Sequence, residues 1–187
     1  MISIDNVSFS YDKRNDVIKD FSLKIERGGR YCLFGESGCG KTTLLRIILG
    51  LETPKSGKIS FEKPYKFSAV FQENRLLPFK TVLGNITLIG AEYDNALSEL
   101  QALGIPDCAD KYPAELSGGM QRRAALARAL AADFDILVLD EAFNGLDQAN
   151  TASAARRISK VLNDRPLIMV THSKYEAELL KAELIYV

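Results

Sequence analysis

The sequence has no tryptophan, a single histidine and only three cysteines among its 187 residues. Cys32, Cys39 and Cys108 have no metal-ligand spacing and are odd in number, which favours a reducing compartment over a disulfide-stabilised secreted fold. No apolar run approaches the roughly 20 residues that a membrane-spanning helix needs. Residues 1–13 have neither a signal-peptide nor a transit-peptide pattern. These absences predict that any membrane role goes through a partner protein.

The charge has no excess of either sign. The 24 Lys and Arg residues equal the 24 Asp and Glu residues, so the formal net charge is zero. A chain without a net field has no global attraction for nucleic acid or for an acidic membrane surface. The length and the 47% hydrophobic content suffice for one domain with a full core. We therefore expect a soluble globular domain with no nucleic-acid partner.

Strand and helix patterns alternate along most of the chain. Residues 2–9 and 20–26 alternate apolar and polar side chains, which indicates two half-exposed strands, antiparallel to each other. Residues 30–34 form a short apolar strand that ends at Gly35, and the nearly continuous apolar runs at 136–139 and 167–171 are typical of buried parallel strands. Further strands are predicted at 57–61 and 66–71, and helices at 41–49, 118–132, 148–163 and 174–182. This order predicts an α/β sheet with right-handed crossovers.

The pattern changes between residues 73 and 116. Helical periodicity dominates there, most clearly at 91–103, and it is interrupted by Pro106 and Pro113. We interpret this stretch as an inserted helical subdomain. The predicted core then comprises residues 1–72 and 117–187 of a single domain.

One glycine-rich segment has the chemistry of a phosphate site. Gly35-Glu-Ser-Gly-Cys-Gly-Lys-Thr42 matches the P-loop pattern between a predicted strand and a predicted helix. Its glycines at 35, 38 and 40 permit positive φ, so backbone N–H groups can point at phosphate oxygens, and the helix dipole adds to the attraction. Lys41 supplies a charge for the β- and γ-phosphates, and the Thr42 hydroxyl can ligate Mg²⁺. A chance glycine turn is the alternative, which the flanking elements disfavour.

Two carboxylates follow the apolar strand at 136–139. Asp140 and Glu141 lie at the carboxyl end of that strand, where open α/β sheets bind their ligands. Asp140 can hold Mg²⁺ through its water shell, and Glu141 is placed to orient or deprotonate an attacking water. The alternative is a strand end with solvated acids, which the P-loop makes less favourable.

The segment Leu116-Ser-Gly-Gly-Met-Gln121 forms a second helix start suited to an anion, but without a lysine. The helical insertion separates it from the P-loop, so we do not expect one chain to bring both to one triphosphate. A head-to-tail pair of chains solves this, because each chain offers its P-loop to one ATP and this helix start to its partner's ATP. Ser117, Gly118 and Gly119 would then add hydrogen-bond donors at the γ-phosphate.

In order along the chain, GESGCGKT, LSGGMQ and ILVLDE resemble the Walker A, signature and Walker B motifs of ABC transporter nucleotide-binding subunits. The resemblance covers essentially the whole chain. It implies an α/β fold: a P-loop NTPase (RecA-like) core with a small antiparallel β subdomain and an inserted α-helical subdomain. It also implies an ATPase that uses ATP and Mg²⁺, forms a homodimer on binding ATP and energises separate transmembrane permease subunits. The expected location is cytoplasmic, at the inner face of the cell membrane.

The resemblance implies roles for single residues. Tyr11 stands where an aromatic ring stacks on adenine; a strand-end tyrosine without a special role is the alternative. Gln72 matches a glutamine that contacts Mg²⁺ and the attacking water, His172 matches a switch histidine at the γ-phosphate, and Asp147 matches an acid that reaches the partner's P-loop. The catalytic set is Glu141, His172 and Gln72, and the metal set is Thr42, Gln72 and Asp140. The nucleotide-binding set is Tyr11, Gly35, Ser37, Gly38, Cys39, Gly40, Lys41, Thr42, Thr43, Ser117, Gly118, Gly119, Gln121 and Asp147.

Residues 71–86 are similar to the corresponding part of nitrate, sulfonate and taurine importers, with Asn74 and Phe79 in place of a common proline and tryptophan. This segment is expected to line a groove for a permease helix, although Leu76, Leu77 and Phe79 could equally pack the subdomain. The stretch between residues 57 and 72 is shorter than is usual in the family, which predicts a reduced antiparallel subdomain.

Other features narrow the functional class. Arg122, Arg123 and Arg128 are expected to be solvated or locally paired, without a catalytic role. The chain ends at Val187, on the strand after His172, which predicts a minimal ATPase without an added regulatory domain. The alternatives are a soluble ABC ATPase of translation or DNA repair, an exporter ATPase, and a nucleotide-gated module without hydrolysis. The first of these usually has two cassettes in one chain or a long coiled-coil insertion, and the last is disfavoured by the presence of Glu141, His172 and Gln72.

Overall fold

The parallel and antiparallel strands form two separate sheets in the computed structural model, which describes residues 1–12 and 16–187. Two short 3₁₀ turns, Pro106–Cys108 and Pro113–Glu115, lie between the third and fourth helices. In chain order the elements are β1 (Ile2–Phe9), β2 (Ile18–Ile25), β3 (Arg30–Phe34), α1 (Lys41–Ile48), β4 (Ser56–Phe61), β5 (Phe67–Val70), α2 (Val82–Thr87), α3 (Tyr93–Ala102), α4 (Gly118–Ala131), β6 (Ile136–Asp140), α5 (Gln148–Leu162), β7 (Leu167–Val170), α6 (Lys174–Leu179) and β8 (Glu183–Tyr186).

The larger sheet is parallel, with the strand order β5-β6-β7-β3-β8. Every residue of β6 and β7 is buried, as their apolar runs predict for strands covered on both faces. Because the strands are parallel, the segments that follow β3, β5, β6 and β7 all emerge at one edge of the sheet. The P-loop, Gln72, Glu141 and His172 therefore meet at that edge.

The smaller sheet is antiparallel, with β1 between β2 and β4. Its inner face, including Ile4 and Val7, packs with Leu44 and Leu45 of α1 and with Val138 of the larger sheet in one buried cluster. The predicted pairing of the first two strands is confirmed. The two sheets together confirm the predicted α/β class with a parallel and an antiparallel sheet.

The opposite face of the parallel sheet carries the helices other than α1. Leu100 of α3 and Leu126 of α4 share a buried cluster with Leu137 and Met169 of the sheet. Residues 73–116 contain α2, α3 and both 3₁₀ turns, as the helical pattern predicts. The exact division into a core and a subdomain remains a prediction. No helix among residues 1–12 and 16–187 has the length and apolar character needed to cross a membrane.

A glycine in the left-handed conformation follows the end of α1, as expected, whereas a lysine takes that conformation after α6. Gly50 lies just beyond the end of α1 with φ 70°, and its N–H donates to Ile47 O at 3.0 Å. The helical pattern at 174–182 predicts a last helix that reaches residue 182, but α6 ends at Leu179. Lys181 takes the left-handed conformation there (φ 52°), and Ala182 N donates to Ala177 O at 2.9 Å. A lysine gives no sequence signal for this type of helix end, so the predicted end of the last helix is wrong by three residues.

Candidate active site

A cavity of about 480 Å³ opens at the carboxyl edge of the parallel sheet. Ten of the residues predicted for the site line it, together with Val17 and Val170, although they come from five distant parts of the sequence. The ten are Tyr11, Ser37, Gly38, Gly40, Lys41, Thr42, Thr43, Gln72, Glu141 and His172.

The P-loop folds around its own lysine. Lys41 is only 5% exposed, and its Nζ donates to the carbonyl oxygens of Gly35 at 3.0 Å and Glu36 at 2.6 Å. The same Nζ lies 3.6 Å from Cys39 Sγ. The ammonium group is therefore held in place before any ligand binds, at the amino end of α1, where a phosphate is favoured.

The P-loop glycines serve two different purposes. Gly38 (φ 85°) and Gly40 (φ 102°) take the left-handed conformation, as predicted. The expectation of positive φ at Gly35 is wrong. A side chain at Gly35 is instead excluded by crowding, because a Cβ there would lie 2.8 Å from Cys39 Sγ and 3.0 Å from Val187 O.

Thr42 and Asp140 bring two oxygen ligands together. Thr42 Oγ1 donates to Asp140 Oδ1 at 3.3 Å, and Asp140 is 2% exposed. Burial raises the pKa of the Asp140 carboxyl, although the hydrogen bond from Thr42 opposes this shift. The described residues contain no cluster of three or more His, Cys, Asp or Glu suited to a metal. Mg²⁺ in nucleotide sites needs only one or two carboxylates besides the phosphates, so this hydroxyl–carboxylate pair fits it.

Glu141 is the first residue after β6 and has a left-handed backbone with φ 53°. Its N–H donates to Val170 O at 3.0 Å, which fixes it to the end of β7. A non-glycine residue in this conformation carries strain, which is often concentrated at functional sites. The bend brings the Glu141 carboxylate into the cavity, where its Oε1 lies 3.1 Å from Nε2 of His172.

His172 is held by the residues on either side of it. Thr171 is buried, accepts a hydrogen bond from Ser173 N at 3.0 Å, and donates its own hydroxyl hydrogen to Glu176. Burial raises the pKa of Glu176, and the neighbouring Glu141 carboxylate adds to the shift. The histidine side chain itself is half exposed at 50% and faces the cavity.

Tyr11 lies at the rim of the cavity and is 61% exposed. Its hydroxyl lies 3.0 Å from Thr43 Oγ1, and its ring meets Phe9 edge to face with the centroids 4.9 Å apart. An exposed ring face fixed at both ends suits stacking on a planar base. Both interpretations of Tyr11 remain open on this geometry.

The signature residues lie elsewhere. Ser117 caps α4, and its Oγ accepts from Met120 N at 3.3 Å. Gln121 turns back and donates from Nε2 to Pro113 O at 2.9 Å. None of Ser117, Gly118, Gly119 and Gln121 lines the P-loop cavity, and the first two are exposed. This helix start therefore lies on a surface separate from the P-loop cavity.

Asp147 belongs to that second surface. It caps α5 by accepting from Asn150 N and Asn150 Nδ2, both at 2.8 Å, and these bonds lower the pKa of its carboxyl. A Cβ added to Gly119 would lie 3.3 Å from Gly145 O, so the loop before Asp147 borders the signature helix. Asp147 is exposed and does not line the P-loop cavity.

Arg122 is a residue whose position the sequence did not predict. It is 5% exposed, and its guanidinium donates from Nη1 to Phe71 O at 2.7 Å and from Nη2 to Gln72 O at 2.5 Å. The expectation of a solvated or locally paired side chain is therefore wrong for Arg122. Burial lowers the pKa of its guanidinium. No sequence signal could show this, because its partners are backbone carbonyls far away along the chain.

A larger cavity of about 900 Å³ lies at the other edge of the sheet, where Ile136 begins β6 and Pro166 precedes β7. Its walls include Ile25, Tyr65 and Arg165. None of the residues predicted for the nucleotide site lines it. The smaller cavity carries the convergent P-loop, carboxylate and histidine groups, so it is the better candidate for chemistry despite its size.

The chain is similar to a known protein family and to named transport proteins. The family model described as "ABC transporter" matches residues 18–144. An aliphatic sulfonates import ATP-binding protein, SsuB 1 of Paracoccus denitrificans, is 38% identical over 190 residues, covering 98% of this chain and 78% of that protein. The bicarbonate transport ATP-binding protein CmpC of Synechococcus elongatus is 35% identical over 206 residues, covering 98% of this chain but 31% of that longer protein.

Solved structures agree with these relatives. The dimeric structure of MJ0796, described as a bacterial ABC transporter cassette, superposes with a TM-score of 0.90 at 28% identity and covers 100% of this chain and 94% of that one. A second structure of MJ0796, a dimeric post-hydrolysis state bound to ADP and Pi, matches equally well, with a TM-score of 0.90 at 28% identity and the same coverage.

Proposed function

Since this chain belongs to the ABC transporter family as an ATP-binding domain with ATPase activity, we propose that it drives solute import through a separate membrane permease as an ATP-bound, head-to-tail dimer. The proposed dimer rests on one observation: two helix starts suited to binding an anion lie apart from each other in the chain. One surrounds Lys41 in the cavity, and the other, at Ser117, is exposed and outside it. The dimeric MJ0796 cassette and the import proteins among the relatives support this proposal.

Binding uses groups that are already in position. The backbone N–H groups of the P-loop and Lys41 hold the phosphates, and the ring of Tyr11 supports the base. Lys41 exchanges its contacts with the carbonyls of Gly35 and Glu36 for phosphate oxygens. Mg²⁺, held by Thr42, Asp140 and Gln72, would neutralise charge on the β- and γ-phosphates.

Hydrolysis uses the pair at the carboxyl edge. Glu141 orients a water molecule for in-line attack and accepts its proton, and Gln72 helps to position that water. His172, 3.1 Å from Glu141, donates a hydrogen bond to the γ-phosphate as charge shifts towards the leaving oxygen. The Glu141 carboxylate and the His172 imidazole thus act side by side, from the ends of neighbouring strands, at the γ-phosphate.

The partner chain closes the site. Its Ser117 hydroxyl and the N–H groups of Gly118 and Gly119 approach the γ-phosphate, and its Asp147 meets the P-loop. Lys41 and a bound Mg²⁺ would offset most of the negative charge of the triphosphate, so the second helix start would need no further cation. Two-fold symmetry then gives two identical composite sites.

The permease binds at the helical segment. Phe79 is 72% exposed between β5 and α2, and Leu76 and Leu77 beside it are partly buried. An exposed phenylalanine next to half-buried leucines suits the side of a partner helix. The chain would then be cytoplasmic, held at the inner face of the cell membrane by its permease.

ATP affinity of the monomer tests the composite site. Lys41→Ala should weaken ATP binding at least tenfold at protein concentrations below dimerisation, because Lys41 belongs to the chain's own site. Ser117→Arg should leave that affinity within about twofold and abolish only ATP-dependent dimers. Equal losses in both variants would place Ser117 and Lys41 of one chain on the same nucleotide and refute the proposal.

Recovery of the chain from membranes tests the transport role. A tagged chain should copurify with a membrane-spanning protein, and Phe79→Asp should release that protein without lowering ATP affinity. Copurification with ribosomes or DNA instead would favour a soluble ABC ATPase.

A further inference from the structure

Two arginines of the signature helix α4 contact one short segment. Arg122 donates to Phe71 O at 2.7 Å and to Gln72 O at 2.5 Å. These carbonyls belong to the first two residues after β5, so the guanidinium fork spans the point where the strand ends. The backbone of Gln72 is fixed by this contact, and Gln72 also lines the nucleotide cavity.

Arg128, almost two turns further along α4, makes a similar contact with backbone carbonyls slightly later in the same segment. Its Nη1 donates to Arg75 O at 2.8 Å and its Nη2 to Asn74 O at 3.1 Å. Burial lowers the pKa of the Arg128 guanidinium. The two side chains therefore hold four carbonyls within residues 71–75.

Residues 71–75 contain a strained backbone position and a buried polar atom without a hydrogen-bond partner in the described part of the chain. Arg75 takes the left-handed backbone conformation (φ 46°), which a non-glycine residue adopts at a cost. Asn74 Oδ1 is buried and has no hydrogen-bond partner among the described residues. The Arg75 guanidinium also stacks on the Phe71 ring at 4.2 Å. External contacts are needed to keep such a segment in one shape.

The buried charge of Arg122 makes a displacement of residues 71 and 72 energetically costly. None of the ion pairs found among residues 1–12 and 16–187 involves Arg122; Asp140 and Glu141 attract it only at longer range. A buried cation without a carboxylate is costly unless its donors are satisfied. The carbonyls of Phe71 and Gln72 satisfy them here, so moving this segment would leave a buried charge unsatisfied.

We propose that Arg122 and Arg128 are positioning residues that clamp residues 71–75 onto α4 and so fix Gln72 at the nucleotide cavity. The catalytic consequence rests on the role proposed above for Gln72. Because Ser117 caps the start of α4, the clamp also joins the segment that carries Gln72 to the helix that would meet the partner's nucleotide.

Amide hydrogen exchange of the full chain without nucleotide tests the clamp directly. Arg122→Lys keeps the charge but cannot span both carbonyls, so exchange at residues 71–76 should rise at least tenfold. Arg165→Lys is the matched control: Arg165 also donates to backbone carbonyls, of Phe134 and Leu162, but at the opposite edge of the sheet. Unchanged exchange at 71–76 in Arg122→Lys, or an equal rise in Arg165→Lys, would overturn the clamp.

A double-mutant cycle tests the consequence for Gln72. The probe is the fluorescent nucleotide mant-ATP, and the quantity is the ratio of its Kd in EDTA to its Kd in excess Mg²⁺. Gln72→Ala should lower this ratio at least fivefold, Arg122→Lys should lower it comparably, and the double variant should lose no more than Gln72→Ala alone. A merely structural role would lower the thermal midpoint of Arg122→Lys without changing the ratio.

Independent losses that multiply in the double variant would overturn the positioning role. So would an unchanged ratio in Arg122→Lys when Gln72→Ala lowers it. If Gln72→Ala itself leaves the ratio unchanged, the function proposed for Gln72 fails, and the clamp is decided by the exchange measurement.

Discussion

Nε2 of His172 lies 3.1 Å from Oε1 of Glu141, across the ends of two neighbouring parallel strands. The register that pairs Asp140 of β6 with Val170 of β7 brings these two side chains together. The left-handed turn at Glu141 and the hydrogen bonds of Thr171 keep them there. A carboxylate and an imidazole at this distance can act together on one water molecule and one phosphate.

Glu141→Gln should lower kcat for ATP hydrolysis at least about 100-fold, since the amide cannot accept a proton. ATP affinity should remain within about threefold, because the P-loop is untouched. Phosphate release at saturating ATP and Mg²⁺ measures kcat, and equilibrium titration measures affinity. Glu178→Gln, at an exposed position on α6, is the control that should keep full activity. Activity of Glu141→Gln within a few fold of the natural chain would exclude the proposed base.

The three cysteines should differ widely in reactivity. Burial raises the pKa of the Cys32 thiol to about 11, and Cys108 is also buried, whereas Cys39 is partly exposed beside Lys41. N-ethylmaleimide at pH 8 should modify Cys39 at least 100-fold faster than the other two, and ATP should slow that reaction. Mass spectrometry should show one adduct on the native chain and three in urea. Early modification of Cys32 would contradict the buried core around β3.

A buried ion pair between α3 and α5 should stabilise the helical side of the fold. Arg157 Nε donates to Glu99 Oε2 at 2.8 Å, and its Nη2 bonds Oε1; the Glu99 side chain is 2% exposed. Arg157→Met would leave a buried carboxylate alone, which costs about 3–5 kcal/mol and lowers the thermal midpoint by roughly 10 °C. Urea unfolding measures this.

The exposed pair of Lys66 and Asp133 is the control for that measurement, with side-chain exposures of 69% and 84%. Lys66→Met should not change the unfolding free energy measurably. Equal effects of the Lys66 and Arg157 substitutions would contradict a buried role for the Glu99 pair.

Glu176→Gln should stabilise the protein in a pH-dependent way. Burial raises the pKa of Glu176 above its ordinary value of 4.5, so the folded state holds this proton more tightly than the unfolded state. The natural chain therefore loses stability relative to Glu176→Gln as pH rises from 4.5 through the raised pKa, and the gap is constant above it. The glutamine can still accept from Thr171. Urea unfolding at pH 4 and pH 8 should show the gap only at pH 8; an equal gap at both would contradict a buried charge.

Much of the nucleotide cavity could be predicted from the sequence because its chemistry is local. The glycine pattern with Lys41, and the acids directly after an apolar strand, are set by residues adjacent in the chain. Parallel pairing then determines which segments share an edge. The fold class followed from the same alternation of strands and helices.

Contacts between distant elements could not be predicted. The Arg122 contact depends on how α4 packs beside β5. Because its guanidinium bonds backbone carbonyls, which every residue has, no pattern of side chains in the sequence indicates the contact. The pair of Glu99 and Arg157 depends likewise on the packing of α3 near α5. The early end of α6 was missed because Lys181, rather than a glycine, takes the left-handed conformation.

The molar mass of Glu141→Gln in solution, measured by light scattering with and without saturating ATP and Mg²⁺, tests the composite site most directly. The mass should double from that of a 20.7 kDa monomer when ATP is present, and adding Ser117→Arg should return it to the monomer value. A Glu141→Gln chain that binds ATP yet stays monomeric would contradict a nucleotide shared by two chains.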